Sequence, residues 1–277
     1  MASPSPPGSG PERAAFRPQV TMNHLYGERL RILDEPFLLS LLARVGSPDT
    51  QTADLPPLVR AAYTRLTHAV LDDCFPVEQA RVATRMAATE PRGFYQGVRL
   101  SRTTQLVVCS VIRAGLLPAQ TCYESACQVL PAENVRLDYL NMSRETDADG
   151  HVTGVRMDGS KVGGPIEDAV LLIPDPMGAT GSTVVRAVEA YRALGGGEPR
   201  AVVAMHLMVT PEAVQHVLSS HPDVRIVTGR FDRGLSDEEV LATPPGTHPE
   251  RERGLNDVQY IVPGAGGMGE LLTNSWV

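Results

Sequence analysis

One stretch, Ala169 to Leu194 (AVLLIPDPMGATGSTVVRAVEAYRAL), restricts what this chain can fold into more than any other. Its unbroken apolar run, Ala169 to Ile173, suits a strand buried on both faces. Pro174, Asp175 and Pro176 follow, and then a turn of small residues, Gly178-Ala179-Thr180-Gly181-Ser182-Thr183. Beyond the turn, Val184, Ala187, Val188, Tyr191 and Leu194 recur at helical spacing. Strand, tight turn and helix start together make a cradle for an anion. Gly178 and Gly181 permit close approach and unusual backbone angles, and the free N–H groups act with the positive end of the helix dipole. Ser182 and Thr183 add hydroxyl donors, and Asp175 can accept hydrogen bonds from a sugar diol. A Walker A loop is excluded, because no Gly-Lys-Ser/Thr follows. For a Gly-rich turn taken alone, an ordinary strand-to-helix connection is the plain alternative.

The same alternation recurs through the rest of the chain. Leu106 to Ile112 is a second buried-strand run, followed by Arg113-Ala114-Gly115 and a helical pattern from Leu117 to Leu130. Val135 to Met142, Ala201 to Val209 and Val224 to Thr228 read as further strands, with a helix at Pro211 to Ser220. This order predicts a mostly parallel central sheet flanked by helices. Arg113 then falls at the carboxyl end of a central strand, where open α/β sheets place their ligands, although a lone arginine is more simply a solvated one. Asp147 to Gly164 is polar and reads as a flexible hairpin. Residues 1–19, rich in Pro, Ser and Gly, read as a disordered tail. Residues 20–104 read as a helical arm with three patterns: Asn23 to Val45 (capped by Asp34 before Pro36), Pro57 to Asp72 and Pro76 to Thr89. The core is then 105–277, with a charged, Pro-containing surface insertion at about 237–253 in which His248 reads as solvated.

Composition removes several classes. Twenty-five basic against thirty-two acidic residues give a net charge of −7, which argues against a nucleic-acid partner. Lys161 is the only lysine, so the arginine excess reflects overall composition and single arginines carry little weight. No apolar run approaches a bilayer span, and the first sixteen residues lack the apolar core of a signal peptide. A cytoplasmic protein without a membrane partner is expected. Cys122 and Cys127 are five apart, with no CxxC or paired histidines, so the four cysteines read as reduced core residues and no resident metal is expected. Gly264 to Gly269 formally spells GxGxxG, but only eight residues remain after it and no βαβ unit fits.

With these residues in view, PDPMGATGST resembles the phosphoribosyl-pyrophosphate (PRPP) signature of type I phosphoribosyltransferases. Its Asp-Pro-Met start is similar to the uracil phosphoribosyltransferase branch. Ile112-Arg113-Ala114-Gly115 resembles a second motif of that branch, and Ser143-Arg144-Glu145-Thr146 resembles its Tyr-Arg-Asn-Glu segment. Phe231 to Ser236 resembles Asp-x-Gly-Leu-Asn, which Gly254-Leu255-Asn256-Asp257 repeats downstream. Tyr260-Ile261-Val262-Pro263-Gly264 resembles the base-binding loop.

The resemblance implies a type I phosphoribosyltransferase-like α/β fold and the reaction uracil + PRPP → UMP + pyrophosphate, with Mg²⁺ carried by PRPP and an oxocarbenium-like transition state. Arg113 and Arg144 would hold the pyrophosphate, and Asp175 the ribose; these three are the implied catalytic residues. Pro176, Met177, Gly178, Ala179, Thr180, Gly181, Ser182 and Thr183 would bind the rest of PRPP, with Gly267 close by. Tyr260, Ile261, Gly266, Gly267 and Met268 would orient the base, and the 147–164 hairpin would close over the site. A homo-oligomer, dimer or higher, is implied, and GTP is the effector the resemblance admits. Two departures stand out. Gly267 replaces the usual aspartate, leaving Glu270 as the next acid, and Gly178 replaces a larger apolar residue. Two classes therefore stay open: a pyrimidine-salvage enzyme, and a non-catalytic PRPP-binding homologue or a phosphoribosyltransferase for another base.

Overall fold

The structure, a computed structural model, describes residues 21–146 and 152–275. The expected tail at 1–19 and the tip of the hairpin at 147–151 lie outside the described residues. The strands, in chain order, are β1 (Leu30–Ile32), β2 (Val77–Ala83), β3 (Phe94–Leu100), β4 (Leu106–Ile112), β5 (Val135–Thr146), β6 (Val152–Lys161), β7 (Val170–Pro174), β8 (Met177–Gly178), β9 (Ala201–Val209) and β10 (Val224–Phe231). The helices are α1 (Pro36–Val45), α2 (Leu55–Cys74), α3 (Leu116–Cys127), α4 (Ser182–Ala193), α5 (Pro211–Ser220), α6 (Glu238–Leu241) and α7 (Met268–Thr273).

Eight strands form one sheet in the order β1-β10-β9-β7-β4-β5-β6, with β8 beside β9. All pairings are parallel except β5 with β6. The apolar runs are central because both faces are covered, and successive residues supply opposite layers. Val108, Leu172 and Val203 point into a cluster with α1, α2 and α3. Their neighbours Val107, Leu171 and Val202 point into a cluster with α4 and α5. The predicted α/β architecture is the one observed.

Between residues 21 and 104 the expected helix at Pro57 to Asp72 is present as α2, but its neighbours differ from the sequence expectation. Leu30 and Ile32 are buried with Arg31 between them, a period of two, and this short strand pairs with β10 at the sheet edge. Helix α1 therefore starts only at Pro36, and Glu35, not Asp34, precedes it. The Glu35 carboxylate is held 2.7 Å from Arg65 Nε on α2. Helix α2 lies on the sheet, and its buried Tyr63 hydroxyl donates to the Met205 carbonyl at 3.2 Å. The third helical pattern, Pro76 to Thr89, is a correction: its first half is β2, antiparallel to β3, followed by a short 3₁₀ turn at Arg85–Ala88. Val77 and Val82 favour extended backbone, and the deciding partner, FYQGVRL, comes later in the chain. Cross-strand Glu78 and Arg99, 2.8 Å apart, fix the register.

Candidate active site

Strands β4 and β7 are adjacent and parallel, and end at Ile112 and Pro174 on the same edge of the sheet. Their carboxyl ends open on a cavity of about 550 Å³, whose walls come from five segments distant in sequence.

The first wall is the predicted cradle. After β7, Asp175 enters the cavity lining, and Met177, Gly178, Ala179, Thr180, Gly181 and Thr183 continue it to the start of α4. Gly181 turns the chain with φ +77°, and a Cβ there would lie 2.8 Å from Val217 Cγ2 and 2.9 Å from the Ala213 carbonyl. Only glycine meets both conditions. Gly181, at the N-cap of α4, has no side chain to cap it, and Thr180 Oγ1 accepts from the Ser182 N–H at 3.3 Å; the first turn presents the dipole's positive end to the cavity. Pro176 and Ser182 are not part of the lining. The Pro176 carbonyl accepts from Leu207 N–H at 3.1 Å, and the Ser182 hydroxyl sits 3.1 Å from Thr180 Oγ1.

The second wall is Arg113, directly after β4. Its guanidinium donates to the Ser275 carbonyl at 3.0 Å and lies 3.3 Å from Glu270 Oε1 on α7. Both side chains of this pair keep roughly a third of their surface exposed, so it is weak enough for a stronger anion to displace. Glu270 has folded over Gly267: a Cβ at 267 would lie 2.5 Å from Glu270 Oε2.

The third wall is the loop Tyr260 to Gly269, where Tyr260, Ile261, Gly266, Gly267 and Met268 all line the cavity. Distant residues hold its backbone. The Gly264 N–H donates to Asp232 Oδ2 and its carbonyl accepts from Arg230, both at 2.9 Å. Arg230 and Asp232 are themselves paired at 2.7 Å, with Asp232 only 2% exposed. Gly234 N–H reaches the Val262 carbonyl, and Val262 N–H reaches the Gly254 carbonyl. The two copies of the repeated motif thus grip the loop from both sides. The insertion between them starts and ends at one point, where Leu235 N–H meets the Arg253 carbonyl. Its buried Glu252 is anchored by Arg233 at 2.7 Å and by the Tyr26 hydroxyl.

The fourth wall was not foreseen. Asn141 and Met142, at the register shift of β5 against β6, line the cavity, as do Gln259 and His206. His206 lies on β9 with its Nδ1 2.7 Å from the Asp175 carbonyl, and burial pushes its pKa down to about 4. The ring is therefore neutral, with the proton on Nδ1 donated to that carbonyl. Inside an apolar run such as AVVAMHLMV a histidine reads as core, and no local pattern marked it. Arg144 lies on β5, but its side chain falls outside the described residues.

The arrangement joins an anion-binding helix start, a carboxylate, a displaceable guanidinium and a rigid amide loop around one cavity. Those are parts of an enzyme site at the carboxyl edge of an α/β sheet, and the chain has the type I phosphoribosyltransferase fold. The sequence matches the uracil phosphoribosyltransferase family over residues 32–248, and the chain belongs to that family. It is 30% identical over 246 residues to the uracil phosphoribosyltransferase of Pyrobaculum arsenaticum, covering 87% of this chain and 97% of that one. It is 26% identical to the Rhodococcus jostii uracil phosphoribosyltransferase, covering 88% and 97%. Among solved structures, the AQ2163 protein from Aquifex aeolicus superposes with a TM-score of 0.67 at 23% identity, over 90% of this chain and 99% of that one. The chain is accordingly a pentosyltransferase. Among the described residues no helix is long and apolar enough to cross a membrane.

Proposed function

We propose that this chain transfers the phosphoribosyl group of PRPP to uracil, forming UMP and pyrophosphate. One observation carries the reading: a single cavity brings Asp175, the 177–183 cradle, Arg113 and the 260–268 loop together. The 5′-phosphate fits the start of α4, where Thr180, Gly181 and Thr183 line the cavity at the positive end of the helix dipole. Asp175, at the end of β7, is placed to accept hydrogen bonds from the ribose hydroxyls. Its charge favours the positive character that develops on the ribose ring as the bond to pyrophosphate breaks.

Arg113 is the cation for the departing pyrophosphate, once that anion displaces Glu270. Arg144 is assigned the same task from its position on β5. Mg²⁺ enters with PRPP as part of the substrate, and its hard oxygen chemistry suits the two carboxylates of the lining, Asp175 and Glu270. The 260–268 loop offers a planar base fixed amide groups rather than flexible side chains, which suits the alternating donors and acceptors of a pyrimidine edge. No nucleophilic side chain is needed; positioning and electrostatics supply the rate. Glu270 takes over the space, and on this reading the charge, of the aspartate that Gly267 replaces. The activity belongs to pyrimidine salvage in the cytoplasm.

The test is a base panel. Purified protein with PRPP and Mg²⁺ is offered uracil, cytosine, thymine and hypoxanthine, and nucleotides are separated by chromatography. UMP from uracil, dependent on every component, is the expected result. A nucleotide from another base alone reassigns the specificity. PRPP binding with no nucleotide from any base moves the chain to the PRPP-binding class.

A further inference from the structure

Asp175 sits between two prolines, which offer no N–H; the Met177 N–H reaches its Oδ1 at 3.5 Å, and its own two peptide groups are anchored as well. Both are bonded to one strand. Its N–H donates to the Met205 carbonyl at 3.0 Å, and its carbonyl accepts from His206 Nδ1 at 2.7 Å. The Met205 carbonyl is held in turn by the Tyr63 hydroxyl from the helical layer. The first of these bonds is main chain to main chain, and any residue at 205 would make it. The second depends on the side chain at 206.

The ring is admitted by the residue across from it. A Cβ on Gly178 would lie 3.0 Å from both Cγ and Cδ2 of His206, and 2.8 Å from Val209 Cγ2. A larger residue at 178 and an imidazole at 206 therefore compete for one space. Burial keeps the ring neutral, which removes the obvious alternative that His206 serves as a further cation for phosphate. What remains at neutral pH is one N–H, aimed at the backbone of the residue that meets the ribose.

Resting on the proposed transferase reading, we propose that His206 is a positioning residue for this reaction. It holds Asp175 in register with the cradle through its Nδ1–H, and glycine at 178 makes room for it. His206→Leu removes the donor while retaining an apolar side chain. His206→Asn returns an N–H attached, like Nδ1, to Cγ. Placement errors at a reacting centre change turnover steeply, so His206→Leu is expected to lower kcat by roughly ten- to a hundredfold with the uracil KM unchanged, and His206→Asn to recover to within about threefold of wild type. Gly178→Ala should also lower kcat, by crowding the ring as well as Val209 Cγ2.

Melting curves recorded on each variant show which are folded. PRPP affinity by titration calorimetry serves as a readout that does not need turnover, and His206→Leu should weaken it where His206→Asn does not. A His206→Leu protein with wild-type kcat and PRPP affinity overturns the role of His206. So do folded Leu and Asn variants that lose function equally. A wild-type protein that neither forms UMP nor binds PRPP overturns the transferase reading beneath the proposal.

Discussion

The half of the cavity proposed to take phosphate and the half proposed to take the base are built in different ways. The phosphate half is local: β7, Asp175, the turn and α4 follow one another between residues 170 and 193. The base half is assembled from afar. Its loop is short of regular structure and is held by Arg230 and Asp232, by Gly234 and Gly254, and by the ends of an insertion that meet at Leu235 and Arg253. A site of this kind separates two tasks. On the proposed reading, the cradle holds a phosphorylated sugar wherever strand, turn and helix are intact. The base loop keeps its shape only while a network of distant hydrogen bonds stays closed.

The largest effect should come from the residue between the halves. Asp175→Ala is expected to lower UMP formation by at least about a hundredfold, the scale of removing one preorganised transition-state partner, with little change in melting temperature. Turnover near wild type would take Asp175 out of the mechanism. Next, Asp232→Ala tests whether the halves are separable. It leaves Arg230 without its partner and should destabilise the fold by roughly 2–4 kcal/mol. In the protein that remains folded it should raise the uracil KM and leave PRPP affinity unchanged; an equal loss for both ligands would show one coupled site.

Arg113→Ala works from the other side, raising the PRPP KM by roughly tenfold through loss of one charge-assisted contact, with uracil affinity unaffected. A PRPP titration that superposes on wild type would contradict its placement at the pyrophosphate. A further effect is on stability against pH. His206 has a folded-state pKa of about 4 against 6.5 when free, so below 6.5 the unfolded chain binds a proton that the folded chain refuses. The contribution is complete above pH 6.5 and is lost as pH falls toward 4, amounting to about 2 kcal/mol between pH 7 and 5. Urea unfolding at those two pH values should show this slope in wild type and a shallower one in His206→Leu; parallel slopes would mean that the ring is not buried neutral.

The contrast between the halves also explains what the sequence could reveal. A cradle made of consecutive residues carries its signature in order, and Gly181 is required by its own backbone angle and by the helix beneath it. The central strands were legible because burial on both faces demands continuous apolar runs, as at LVVCSVI and AVLLIP. The β2–β3 hairpin was not, because seven cross-strand pairs overrode a weak local periodicity. The Glu270 carboxylate over Gly267, the Arg230–Asp232 clasp and the His206 link to Asp175 each join residues that are close only after folding. The repeated motif at 231–236 and 254–257 looked redundant in sequence; in space it is the two sides of one grip.

The most direct measurement is UMP formation by the wild-type protein run beside Asp175→Ala, at saturating uracil, PRPP and Mg²⁺, with PRPP binding recorded for both. The account predicts UMP from wild type that disappears when any component is omitted, and a folded Asp175→Ala protein with turnover reduced at least about a hundredfold. Folded wild-type protein that binds PRPP without making UMP would contradict it. So would an Asp175→Ala protein that matches wild type.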